Sequence, residues 1–227
     1  MLFRSEDGRF LTGRGQYTDD IVLARQSYGF FLRSPYAHAR IRSVSTAAAE
    51  AAPGVLGVYT GAHFRAIGGL PCGWLIHSID GTPMKEPPHP ALAHGKVRHV
   101  GDQVALVIAE SQQQARDAAE KVVVDYDELP AVVSLADAAS ASTLVHDDVP
   151  ANTCYTWGHG DKAATDAAFA RAAHVTTLEI VNNRLIPNAI EPRAVNASYT
   201  RQDDSYTVYV SNQNPHVERL LMGAFVL

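Results

Sequence analysis

The spacing of apolar and polar positions changes several times along the chain, and each change predicts an element. Gln103–Ala109 is an apolar, β-branched run that Glu110 and Ser111 cut off, which is how a buried strand ends. A helix is predicted directly after it. Ala115, Ala118, Ala119 and Val122 recur at i, i+3, i+4 and i+7, a stripe of small residues that lets a helix lie close on a sheet. Ser111 stands where an N-cap belongs, and Gln114 is placed to reach back to the Ser111 amide as in a capping box. Residues 122–126 form the next predicted strand, ended by Asp127-Glu128-Leu129-Pro130 because proline cannot donate to a ladder. About a dozen residues separate the two strands, which suits a crossover connection and not a hairpin. Residues 96–133 thus read as strand, helix, strand.

Upstream, the pattern predicts strands over 27–33 and Ala39–Ser45, parted by Arg33-Ser34-Pro35, with Ile41 and Val44 as the inward residues of the second. Thr46 is positioned to cap a short alanine helix that Pro53-Gly54 terminates, and 55–59 is again strand-like. Residues 60–95 lose all period and are rich in glycine and proline; a loop of that length tends to be functional or to wrap a partner. Downstream, 134–152 has the Ala, Ser and Asp content of a linker. Asp161 or Thr165 can cap a helix running through Ala172, with Ala168, Phe169 and Ala172 on one face. A long strand is expected over 174–183, then a loop pinned by Pro187 and Pro192, then antiparallel strands over 195–199 and 206–210 joined around Asp203-Asp204. Asn214 and Pro215 are a good N-cap and first helical residue for a final helix. That helix runs into Ala224-Phe225-Val226-Leu227 without a stop signal, so its apolar face is expected to need further protein.

Composition narrows the chemistry. With 227 residues, 46% of them hydrophobic, the chain can bury a sizeable core. Its net charge is −5 and its basic residues are scattered, which argues against nucleic acid or an anionic membrane surface as partner. A charge at Arg4 interrupts the start before any apolar segment, so no signal peptide is expected, and no run approaches the ~20 apolar residues of a membrane span. A cytoplasmic location is the expectation. Cys72 and Cys154 are far apart and unpaired by motif, so an iron–sulfur cluster, structural zinc or disulfide framework is not expected in this chain, and both thiols are expected to be reduced and partly buried. His77, His89, His94 and His99 have spacings that suit neither a helical pair nor a paired-ligand knuckle, so solvated or hydrogen-bonded histidines are expected. The turn Ala109-Glu110-Ser111 lacks phosphate-binding glycines, and no GxSxG is present. No catalytic residue and no metal ligand is assigned within this chain.

Six segments taken together, RFLTGRGQYTDD, RSPYAHARI, PGVLGVYTG, the stretch from Lys96 to Val133, NNRLIPNAIEPRA and SNQNPH, resemble the amino-terminal part of the molybdenum-binding large subunit of the xanthine dehydrogenase and aldehyde oxidase family. The likeness is strongest to its bacterial carbon monoxide dehydrogenase branch. It implies an α+β protein: an α/β hammerhead domain over 1–151, with 134–151 as linker, and over 152–227 the incomplete beginning of a first molybdopterin-binding domain. It further implies a molybdenum hydroxylase in which molybdenum on molybdopterin cytosine dinucleotide inserts water-derived oxygen into a small-molecule substrate. Electrons would leave through iron–sulfur and FAD subunits.

Family members use a glutamine in the segment matching SNQNPH to hydrogen-bond an oxo ligand of the metal, and that position is Gln213. A neutral amide donor between a strand end and a helix start suits this role, although spacing alone favours reading Gln213 as an ordinary turn residue. Glu191 and Arg193 lie in the family-like EPRA segment and are given no catalytic role; a structural ion pair, strand-start contacts or a cleft position are all open to them. By the same resemblance the glycine-rich cofactor loop, the substrate-selecting loop and the general-base glutamate are expected beyond Leu227, with the remainder of the molybdenum subunit. The chain alone is therefore expected to retain no molybdenum and to turn over nothing. The alternative is a non-catalytic scaffold that docks partner subunits.

Overall fold

The computed structural model describes residues 7–225, so the charged start at Arg4 and the terminal Val226 and Leu227 lie outside the described residues. In chain order the helices are α1 (Asp7–Leu11), α2 (Ala47–Glu50), α3 (Gln112–Ala119), α4 (Lys162–Arg171) and α5 (Pro215–Phe225). The strands are β1 (Tyr28–Arg33), β2 (Ala39–Ser45), β3 (Val55–Thr60), β4 (Lys96–Val97), β5 (Gln103–Ala109), β6 (Val123–Glu128), β7 (Val195–Thr200) and β8 (Ser205–Val210). Two compact units result: Ser27–Thr176, and residues 7–26 with 177–225. The α+β class read from the sequence holds.

In the unit Ser27–Thr176, β5 is the middle strand of an antiparallel sheet ordered β1, β5, β3. Its alternation sends Ala105 and Val107 to one side and Val104 to the other. Ala105 and Val107 meet Ala118, Ala119 and Val122 in a core with Ala49 and Val58, so the predicted small-residue stripe is the buried face of α3. Val104 joins Ala39, Ala93 and Val97 in a second core against the sheet ordered β4, β2, β6, and Val44 and Val124 touch both cores. Ile41 and Val44 both pack inward although they are three apart, because the pairing of β2 with β6 slips between Ile41 and Ser43 and a bulge absorbs the extra residue.

Several expectations are corrected. β5 and β6 do not join through a crossover within one sheet: both edges of β5 are taken by β1 and β3, so β6 pairs antiparallel with β2 in the other sheet. Ser111 does cap α3, its Oγ accepting from Gln114 N at 3.3 Å, but the Gln114 side chain takes a bond from the Ser111 hydroxyl (2.7 Å), which draws it from the Ser111 amide. Thr46 precedes α2 without capping it, since its hydroxyl donates to Glu50 at 2.7 Å. Asp161 caps α4 by accepting from Ala164 N at 2.9 Å, yet no residue of α4 is buried, Ala172 falls past its end, and Phe169 is 61% exposed. No strand forms over 174–183: the segment has no ladder partner among the described residues, and its Leu178, Ile180 and Val181 stand exposed. An apolar run specifies a strand only when an edge is there to pair with.

Residues 134–152 are tied down in a way a linker composition does not predict. The Lys96 ammonium, on a side chain only 9% exposed, bonds both Asp147 carboxylate oxygens at 2.7 and 2.9 Å. Arg98 Nε donates to the Val145 carbonyl, and Asn152 accepts from Val145 N while donating to the Ala138 and Thr143 carbonyls. His38 Nδ1 lies 2.8 Å from the Pro130 carbonyl, closing the end of β6. Of the cysteines, Cys72 is exposed, not partly buried as expected, and Cys154 is partly buried; both are free thiols.

Candidate functional site

The second unit is built on the β7–β8 hairpin, which pairs in unbroken register from Val195↔Val210 to Thr200↔Ser205. Its turn places Asp204 at φ +47°, a conformation Asp tolerates, and the Tyr199 hydroxyl donates to the Asp204 carboxylate at 2.9 Å. β8 runs directly into Ser211-Asn212-Gln213-Asn214, and Pro215, with φ preset for a helix, opens α5 as predicted. An open groove of about 700 Å³ lies between β8 and α5, floored by Tyr206, Val208, Val210 and Met222.

Gln213 sits in the bend of this turn and is exposed. Its own side chain has no hydrogen-bond partner among the described residues, whereas the residues beside it are held. Asn212 accepts from Asn214 N at 2.5 Å and donates to Glu218 at 3.0 Å, and Glu218 N donates to the Asn214 carbonyl at 3.1 Å. Glu218 occupies the first turn of α5, where a carboxylate complements the exposed N–H groups of the helix.

On the strand side the anchor is Ser211. Its hydroxyl lies 3.3 Å from the Thr18 hydroxyl, and Thr18 N in turn donates to the Glu191 carboxylate at 3.0 Å. The Thr18 amide first and the neighbouring Ser211 hydroxyl second hold Glu191 below the usual carboxylate range, so it is ionised at neutral pH. Residues 18–26 are laid along β7 by Asn196, whose amide donates to the Ile21 carbonyl at 2.7 Å and to Gln26 at 3.3 Å.

The structure thus brings Glu191 to within two residues of Gln213 along one bonded path, but not as an ion pair. Arg193 is exposed and has no bond to Glu191, and among the described residues it has no ion-pair partner. Thr18, Ser211 and Asn212 were not picked out as site residues in the sequence. Their segments stood among those that carry the resemblance, yet Thr18 and Glu191 are 173 positions apart and no periodicity relates them. Among the histidines of the long loop, His94 accepts from Arg65 Nε at 2.9 Å and His99 Nδ1 lies 3.0 Å from the Val100 carbonyl. Among the described residues no three His, Cys, Asp or Glu side chains converge as a metal site, and no helix is long and apolar enough to cross a membrane.

Comparison with known proteins places this geometry. Residues 12–130 match the model of the aldehyde oxidase and xanthine dehydrogenase a/b hammerhead domain, and residues 145–226 match that of the molybdopterin cofactor-binding domain. The carbon monoxide dehydrogenase large chain of Hydrogenophaga pseudoflava is 34% identical over 96% of this chain and 28% of its own length. The nicotine 6-hydroxylase large subunit of Paenarthrobacter nicotinovorans is 32% identical over 98% of this chain and 27% of its own. Among solved structures, quinoline 2-oxidoreductase from Pseudomonas putida 86 superposes with a TM-score of 0.85 at 34% identity, covering 99% of this chain and 28% of that one. The chain therefore spans somewhat over a quarter of the length of the relatives it matches. It belongs to the aldehyde oxidase and xanthine dehydrogenase family and corresponds to the amino-terminal part of the molybdenum-binding large subunit.

Proposed function

We propose that this chain supplies one edge of the cofactor site in a molybdenum hydroxylase, with Gln213 presenting its side-chain amide to the bound group. The observation that carries this reading is the Gln213 turn: an exposed amide with no internal partner, in the bend of a turn fixed on the strand side through Ser211 and on the helix side through Asn212. The turn that carries this donor is held before any ligand arrives, and the donor has no intramolecular bond to give up. The donor chemistry fits: a neutral NH₂ can hydrogen-bond an oxygen of the cofactor without transferring a proton to it. When bound, the molybdenum centre supplies the insertion of water-derived oxygen into a small substrate.

The molybdopterin cytosine dinucleotide form of the cofactor, iron–sulfur and FAD partner subunits and a cytoplasmic location belong to the same reading. So do the division into a hammerhead domain over 1–151 and an incomplete cofactor-binding domain over 152–227. The relatives' names join carbon monoxide, nicotine and quinoline chemistry to this one shared portion. Substrate choice is accordingly assigned to parts of the subunit outside it, together with the catalytic base.

The test is Gln213→Ala in the complete subunit assembled with its partners. Losing a donor to the metal's ligand shell typically costs about 10–100-fold in metal affinity or activity, and a loss of that order is expected in dye reduction. Unchanged activity at unchanged molybdenum content contradicts the assignment.

A further inference from the structure

We infer that Glu191 is a positioning residue for Gln213: its carboxylate fastens the end of β8 to the 17–26 segment and so sets where the Gln213 turn projects. This inference rests on the placing of Gln213 at the cofactor.

The geometry is a three-way joint. Glu191 belongs to the loop that enters β7, Thr18 to a single 3₁₀ turn near the start of the chain, and Ser211 to the first residue after β8. The carboxylate takes the Thr18 amide, and the Thr18 hydroxyl meets the Ser211 hydroxyl, so the link among the three segments loses its anchor if the carboxylate is removed. The segment it grips is independently held, since Asn196 of β7 bonds the Ile21 carbonyl and Gln26, and Gln26 in turn accepts from Leu23 N at 2.7 Å. Ser211 is therefore tied to a fixed strap, not to a loose tail. From Ser211 only Asn212 intervenes before Gln213, and Asn212 is itself braced against Asn214 and Glu218.

A carboxylate is the suitable group here. It offers about four acceptor positions and no donor when ionised, which suits the Thr18 amide it takes and the hydroxyls of Thr18 and Ser211 beside it. The hydrogen bonds keep Glu191 ionised well below neutral pH, so the joint is closed at physiological pH and opens only in acid. Arg193, two residues on, takes no part in it.

Amide hydrogen exchange on the whole chain tests this directly. Glu191→Ala is expected to raise exchange at Thr18 and across Ser211-Asn212-Gln213 by about three- to tenfold, with β2, β5 and α3 unchanged. Glu191→Gln, which keeps an acceptor for the Thr18 amide, should restore part of that protection. The wild type should lose protection at Ser211 as pH falls through the depressed Glu191 value, whereas Glu191→Gln should show no such transition. Should Glu191→Ala fail to fold, Ser211→Ala removes one bond and should loosen only the 211–213 stretch. Unchanged exchange at 211–213, or a uniform rise throughout the chain, overturns the proposal.

In the complete subunit, Glu191→Ala should alter the molybdenum(V) electron paramagnetic resonance signature in the same direction as Gln213→Ala. An exchange effect at 211–213 with no effect of Gln213→Ala on molybdenum would leave the joint standing and remove the cofactor reading. An effect of Gln213→Ala with no exchange change in Glu191→Ala would do the reverse.

Discussion

Lys96 is a buried cation held, among the described residues, by a single ion pair. Its stem is buried beside Val97 and its ammonium has Asp147 as ion-pair partner, while the carboxylate itself stands 76% exposed. Asp147→Ala leaves a buried cation without its partner; after allowance for solvent at the exposed carboxylate, a loss of about 1 kcal/mol is expected in urea denaturation. Lys96→Met fills the same volume without the charge and should be close to neutral. The pair also sets an acid limit. The hydrogen bond and charge of Lys96 hold Asp147 below the usual carboxylate range, so its contribution is fully present above about pH 4 and is lost as pH falls through the lower folded value. A pH series of unfolding midpoints should show that loss in wild type and not in Asp147→Asn.

At the scale of elements, α3 rests on its sheet through Ala115, Ala118 and Ala119, all without exposed surface. Ala118→Leu adds three carbons to a close-packed contact and should cost about 1–3 kcal/mol, seen as a lower urea midpoint at unchanged slope. This contact was legible in the sequence because both periods are local: the 3.6 spacing of the alanines and the apolar run of β5 adjoin. The same holds for the β7–β8 hairpin and for α5, whose Pro215 start is read from one residue. What was not legible depended on partners. Nothing in residues 103–128 says that β1 and β3 occupy both edges of β5, so the separation of β5 and β6 into two sheets could not be read. Nor could the fate of 174–183, whose pattern is that of a strand but which meets no edge among the described residues. The strap along β7 was equally hidden, since Asn196 reads as an ordinary strand residue. Asn196→Ala should raise amide exchange over 21–26 and leave β1, β3 and β5 protected.

For the whole molecule, two facts bear together on function. Gln213 and the residues that brace its turn lie within residues 7–225, whereas the carbon monoxide dehydrogenase and nicotine 6-hydroxylase relatives are between three and four times as long as this chain. The proposed site residue, Gln213, is named by resemblance, while the support of its turn was not legible, because Thr18, Glu191 and Ser211 are joined by tertiary contact alone. On the proposed reading, the exposed Gln213 turn, on a chain that spans somewhat over a quarter of these relatives, forms one edge of a cofactor site completed by other parts of the subunit. Metal analysis of this chain purified by itself tests that account most directly. It predicts far less than stoichiometric molybdenum and no dye reduction; stoichiometric molybdenum accompanied by dye reduction would contradict it.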